Sequence, residues 1–167
     1  MDKITLDRIN MLHPKLRGEA LEIYTEICEV LKGKAMCRFS FTMRTFAEQD
    51  ALYAQGRTKA GPIVTKARGG QSYHNFGMAI DIVLIVDADG NGSYETASWD
   101  TKTDFDKDGK SDWSEVVNIF KQHGWEWGGD WKFTDAPHFQ KTFGKSVREL
   151  LAMYNAKKVD AHNYVLV

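Results

Sequence analysis

Ser72-Tyr73-His74-Asn75-Phe76-Gly77-Met78-Ala79-Ile80-Asp81 decides the reading of this chain. Its first half is a polar turn broken by Gly77, and its second half enters the apolar run Met78 to Val86. An apolar run without alternation is the mark of a strand buried on both faces in the middle of a sheet. Asp81 is the one charged residue inside it, and burying a lone carboxylate is costly unless something pairs with it. A metal ion meets that need, and imidazole plus carboxylate suits zinc. Seven residues of extended chain span about 23 Å, so His74 and Asp81 meet at one ion only if the chain turns between them. Gly77 can supply the turn. A catalytic zinc takes three protein ligands and keeps one open position. Asp135-Ala136-Pro137-His138-Phe139 offers the third donor, His138. His13, His123 and His162 have no such company and read as structural or solvent-exposed.

Outward from this stretch, apolar residues from Leu16 to Leu31 recur at helical spacing, and Gly33 closes the segment. Ala35 to Met43 alternates, with Cys37, Phe39, Phe41 and Met43 expected on one face of a half-buried strand. Thr45-x-x-Glu48 is a capping box that opens a helix ending near Gly56. Gly61 to Gln71 reads as a surface crossing beside the site. Val116 to His123 is expected to be a short helix ended by Gly124. Trp125–Trp127 and His138–Gln140 read as short strands. Ser146-x-x-Glu149 caps a last helix of about ten residues, and Tyr164 to Val167 is expected to add an edge strand. Helices mixed with a small antiparallel sheet place the chain in the α+β class. No repeat or linker divides it, so 1–167 reads as one domain, a size that sustains a core.

No run approaches the length of a membrane-spanning helix, and Met1 to Lys15 lacks the apolar core of a signal peptide. The chain is therefore expected to be made in the cytoplasm and to act on its substrate after release. Cys28 and Cys37 read as two buried free thiols. The net charge of −1 hides an asymmetry: residues 87–115 carry nine acids against three lysines, so an acidic insertion sits on a mildly basic body. A basic body suits an anionic polymer. Nucleic acid is not expected, because no basic residues cluster on a groove-reading element.

The insertion has its own motif. Asp104-Phe105-Asp106-Lys107-Asp108-Gly109-Lys110-Ser111-Asp112-Trp113-Ser114-Glu115 carries side-chain oxygens at positions 1, 3, 5, 9 and 12 of an EF-hand calcium loop, with glycine at position 6. Asp104, Asp106, Asp108, Asp112 and Glu115 are the expected calcium ligands. Ser111 replaces the usual aliphatic residue at position 8 and no clear helix precedes the loop, so it is EF-like rather than a full EF-hand. Asp87-Ala88-Asp89-Gly90-Asn91-Gly92 begins a similar loop but has Ser98 where the bidentate glutamate belongs. Asp87, Asp89 and Asn91 either hold a second, weaker calcium or form a plain surface turn.

Four segments in order carry a family resemblance: Met43 to Thr58, Ser-x-His-x-x-Gly-x-Ala-x-Asp at 72–81, Trp125 to Trp131, and Asp-x-x-His at 135–138. Together they resemble the zinc peptidases of the D-alanyl-D-alanine carboxypeptidase superfamily. That superfamily includes VanX- and VanY-type enzymes and the L-alanyl-D-glutamate endopeptidases of phage endolysins and bacterial autolysins. The last branch is the nearest in pattern. The resemblance implies a Hedgehog/D,D-peptidase-like fold and zinc held by His74, Asp81 and His138. It implies hydrolysis of the L-alanyl–D-glutamate bond in peptidoglycan stem peptides by a monomer, with no nucleic-acid or membrane partner. A D,D-carboxypeptidase on the same scaffold is the alternative, and a non-catalytic zinc- and calcium-binding module is the rival from another class. Asp135 is the expected general base, since a tight turn before His138 can bring its carboxylate to the metal. Arg44 corresponds to the arginine that meets the substrate carbonyl, where a guanidinium stabilises an oxyanion. Ser72, Gln49 and Trp131 are the expected substrate contacts, with holding His74 the alternative role for Ser72, bracing the cleft the alternative for Gln49, and a place in the core the alternative for Trp131.

Overall fold

The computed structural model describes residues 1–167. Its spine is β2 (Ala79–Val86), buried along its whole length except at Asp81. β1 (Ala35–Phe41) lies antiparallel along one edge of β2. The other edge is shared by two short strands: β3 (Thr96–Ser98) pairs with Leu84 to Val86, and β5 (His138–Gln140) pairs with Ala79 to Asp81. β4 (Glu126–Trp127) continues the sheet beyond β5. The sheet is five-stranded and antiparallel, as expected, and β3 is an addition that the sequence pattern did not announce.

Five helices flank it: α1 (Lys3–Ile9), α2 (Pro14–Val30), α3 (Phe46–Ala54), α4 (Asp112–Gln122) and α5 (Val147–Asn155). Both arms of the capping boxes that open α3 and α5 are formed. α2 lays Leu16, Ala20, Ile23, Tyr24 and Ile27 against the core. The centre is an aromatic stack: Phe120 of α4 lies 4.1 Å and 19° from Phe139 of β5, with Phe39 and Tyr24 completing the row. Full burial of such side chains contributes about 1.5–3 kcal/mol each.

Four expectations change. In β1, Ala35, Cys37 and Phe39 face inward, but a bulge between Phe39 and Phe41 ends the alternation. Phe41 is 53% exposed and Thr42 turns in to 2%, because one extra residue in a strand flips every later side chain. α4 begins a turn before Val116, since Ser111 accepts from Ser114 N as its cap and Asp112 and Glu115 suit the positive end of a helix. Tyr164–Val167 forms an isolated bridge, Val159 to Val165, because the chain has just turned sharply at Asn163, with φ of 65°. Cys37 is buried, but Cys28 lies on the exposed side of α2; both thiols are free. No helix is long and apolar enough to cross a membrane.

Candidate metal centre

Sheet register brings the first two donors together. Asp81 and His138 stand directly opposite on β2 and β5, where cross-strand Cβ atoms are about 5 Å apart. His138 Nδ1 lies 3.1 Å from Asp81 Oδ1. His74 arrives from a short 3₁₀ turn, Tyr73–Phe76, that precedes β2. Ser72 and Asn75 form a capping box around this turn, and Gly77 ends it with φ of 67°. A Cβ at Gly77 would meet His13 N at 2.7 Å, so a side chain there is blocked by space as well as strained in conformation. The chain thereby folds back and sets His74 Nε2 3.2 Å from Asp81 Oδ1.

Hydrogen bonding fixes what these atoms offer. His74 Nδ1 lies 2.7 Å from the carbonyl oxygen of Thr42, which can only accept. Nδ1 therefore carries the proton, and Nε2 points its lone pair at Asp81. His138 Nε2 lies 3.1 Å from Gln140 Oε1, so its Nδ1 likewise faces Asp81 as a lone pair. Two imidazole lone pairs and a carboxylate, mutually within 4.8 Å, face one another. All three are acceptors, an arrangement that a cation satisfies and that neutral imidazoles cannot satisfy alone. The donor set therefore fits zinc. Without a cation, protons on the two imidazoles take its place: burial opposes charge on Asp81, but hydrogen bonds from protonated His138 and His74 outweigh it and hold the carboxyl well below the usual carboxylate range, so a metal ion and protons compete for the same site. Burial likewise disfavours charge on His138, yet Asp81 more than offsets this and raises its pKa.

The trio opens into a cleft of about 450 Å³ that Ser72, Arg44 and Asp135 also line. Asp135 N donates to Gly128 O and Asp135 O accepts from His138 N, a tight turn packed so closely on Gly128 that a Cβ there would clash with Asp135 O. The Asp135 carboxylate accepts no hydrogen bond from the protein. Burial, and after it the Asp81 charge, raises its pKa. Arg44 donates to Gln49 Oε1 at 3.0 Å, reaches within 3.9 Å of Asp81 Oδ2 and sits over the Phe41 ring.

The expected substrate contacts separate. Ser72 lines the cleft while its Oγ accepts from His74 N. Gln49 does not reach it: it is 1% exposed, and its amide bonds Arg44 and Ala67 O. On its helix face the neighbouring side chain of Arg44 and the returning 65–67 loop close over Gln49, so it braces the arginine. Trp131 packs its ring 5.2 Å from that of His138. The cleft also contains Trp99, 60% exposed, which sequence reading passed over. Its one signal was a lone tryptophan amid polar insertion residues. Gln140 was missed too, although strand periodicity puts it on the same face as His138.

In the acidic insertion, Asp104, Asp106 and Asp108 gather their carboxylates within 4.8 Å. Asp104 accepts from Lys107, Asp108 and Gly109 amides, and Gly109 has φ of 96°. Asp112 is fully buried and Glu115 9% exposed, and one oxygen of each, Oδ2 and Oε2, has no partner. The Glu115 pKa is raised by burial and then by Asp108 and Asp106. In the first loop Asn91 is engaged locally. Its Oδ1 accepts from Ser93 N and its amide turns to Asp89, while Glu95 brings the third carboxylate beside Asp87 and Asp89.

A carboxylate and two imidazoles in one cleft, with a free carboxyl and a guanidinium beside them, form a site that could hold a metal ion next to an acid–base group. Residues 65–141 match the family described as D-alanyl-D-alanine carboxypeptidase. The chain is 57% identical over 98 residues to the peptidoglycan L-alanyl-D-glutamate endopeptidase CwlK of Bacillus subtilis (strain 168), a match covering 58% of this chain and 55% of that protein. It thus spans just over half the length of the curated relative it matches. In fold it is similar to the Serratia marcescens L-Ala D-Glu endopeptidase ChiX, with a TM-score of 0.54 and 20% identity over 86% of this chain and 90% of that one. The chain resembles the D-alanyl-D-alanine carboxypeptidase superfamily, on its endopeptidase side.

Proposed function

We propose that this chain is a zinc-dependent peptidoglycan peptidase that hydrolyses the L-alanyl–D-glutamate bond of the stem peptide. The observation that carries it is the all-acceptor trio His74, Asp81 and His138 facing a cleft that also holds the unpartnered Asp135 carboxylate. Zinc held by the trio supplies Lewis acidity, which polarises a carbonyl and acidifies water. Asp135 takes the proton from the attacking water as oxygen adds to the carbonyl carbon. Arg44, braced by Gln49, offers its guanidinium to the oxyanion. The C–N bond then breaks, and Asp135 returns its proton to the leaving nitrogen.

The bond choice is supported by the name of the 57% identical relative. The family's description favours a second reading, release of a terminal D-alanine. Digestion of purified peptidoglycan followed by mass spectrometry separates the two. New amino-terminal D-glutamate is expected, and free D-alanine without it would replace the first reading by the second.

The same proposal gives the insertion a calcium ion at Asp104, Asp106, Asp108, Asp112 and Glu115. Support comes from the two buried, unpartnered oxygens on Asp112 and Glu115, which a cation satisfies. Ser111, at the position that pairs two EF-hands, instead caps α4 and donates to Thr101 O, in keeping with a single hand. Calcium titration by calorimetry is expected to give binding that Glu115→Gln removes. Unchanged binding in that variant would move the ion to Asp87, Asp89 and Glu95.

A further inference from the structure

His74 and His138 present opposite ring nitrogens to the cleft, and they are held there by different means. For His74 the acceptor is a backbone carbonyl, that of Thr42, which cannot reverse its polarity. For His138 it is the side-chain amide of Gln140, two residues along the same face of β5. A side-chain amide can flip. Turned over, it would present its NH₂ to His138 Nε2, the proton would move to Nδ1, and the lone pair would leave the cleft.

Glu126 prevents the flip. It is the register partner of Gln140 across the β4–β5 ladder, and its Oε2 accepts from Gln140 Nε2 at 2.9 Å. A carboxylate at neutral pH only accepts, so the amide NH₂ must turn toward Glu126 and Oε1 toward the imidazole. Gln140 is 7% exposed, which removes water as a competing partner, whereas Glu126 is exposed.

We propose that Gln140 and Glu126 are positioning residues that fix the tautomer of His138, so that the metal affinity of the site is set from β4, a strand that contributes no ligand. This rests on the zinc reading of the site. Partners of this kind change metal affinity by about 10- to 100-fold when removed.

The test measures zinc dissociation constants by competition with a fluorescent chelator and follows the His138 Nε2 proton of the zinc-loaded protein by ¹H–¹⁵N correlation and its exchange with water. Parent and variants are compared at neutral pH, with melting temperatures as a check on folding. Gln140→Leu should weaken zinc by about 10- to 100-fold and leave the Nε2 proton exchanging freely with water. Glu126→Gln should give a smaller loss, since two amides admit both orientations, and should partly lose that protection. The exchanged pair Glu126→Gln with Gln140→Glu rebuilds the relay with donor and acceptor reversed between the strands, and should regain affinity close to the parent's. A merely structural pair would not be rescued in this way. Parent affinity and a parent-like, protected Nε2 proton in both single variants would overturn the relay while leaving the zinc site standing. A parent that binds no zinc would instead overturn the metal reading, and this inference with it. Should Gln140→Leu fail to fold, the surface substitution Glu126→Gln decides by the same two measurements.

Discussion

Asp135 has the one unpartnered carboxylate in the cleft, and that separates chemistry from binding at a single position. Asp135→Asn keeps shape and would remove the proposed base. It is expected to retain zinc and fold while activity on peptidoglycan falls by about two to four orders of magnitude. Turnover near the parent's, with zinc content confirmed by elemental analysis, would take Asp135 out of the mechanism. His138→Ala is expected to lose both zinc and activity, and full zinc occupancy there would sink the ligand assignment. His74, Asp81, His138, Asp135 and Arg44 were legible in the sequence because their motifs impose turns and strand positions that bring them together. Of the two roles open to Gln49, lining the cleft or bracing it, the structure has the second, because helical spacing shows which residues share a face but not what closes over that face. Glu95 lay outside the expected set because EF-hand numbering points to Ser98, whereas the first loop turns back early enough to bring Glu95 beside Asp87 and Asp89.

Among the elements, those with explicit end signals were read most closely: the capping boxes at Thr45 and Ser146 start their helices where the motifs say. α1 had only a single cap, Asp2, which accepts from Thr5 and holds Arg38 through two hydrogen bonds of 2.9 Å. Burial opposes its charge, but the Arg38 and Thr5 contacts prevail and lower its pKa. A lowered carboxyl pKa stabilises the fold above the unfolded value of about 3.9, and this contribution disappears as pH falls through the folded value. Asp2→Ala should therefore cost about 0.5–2 kcal/mol at neutral pH in denaturant titrations, and the gap from the parent should narrow below about pH 4. An unchanged gap would assign the loss to packing. The bulge in β1 had no signal at all, since alternation continues in the sequence through Met43. It arises from long-range pairing with β2 and is what presents the Thr42 carbonyl to His74.

At the scale of the whole molecule, the insertion lies between the strand of Asp81 and the strand of His138. α4 leads from its acidic loop to the Phe120–Phe139 stack beneath β5. Calcium should thus raise the melting temperature of the zinc-loaded protein, by a margin that disappears in Asp104→Ala with Glu115→Ala. A retained margin would place the stabilising ion elsewhere. Phe120→Ala should cost about 3–5 kcal/mol in denaturant titrations, and a loss under 1 kcal/mol would show that α4 does not support β5. The sheet's outline was visible in the sequence because β2 is an apolar run and β1 alternates, and the insertion's place between the strands of Asp81 and His138 could be read from chain order; the Phe120–Phe139 stack could not, since no local pattern pairs those two rings. The ladder holding β5 to β2 is only three residue pairs long, and short edge ladders open more readily than the interior of a sheet. Of the three donors, His74 and Asp81 stand on the long side of that seam and His138 on the short side. With zinc held as proposed, its escape should be tied to fraying of the β4–β5 ribbon rather than to passage through the cleft mouth. The rate at which a strong chelator strips the ion should level off at the ribbon's opening rate as chelator is raised. A rate that climbs in proportion without a plateau would mean that the chelator reaches the ion directly through the cleft.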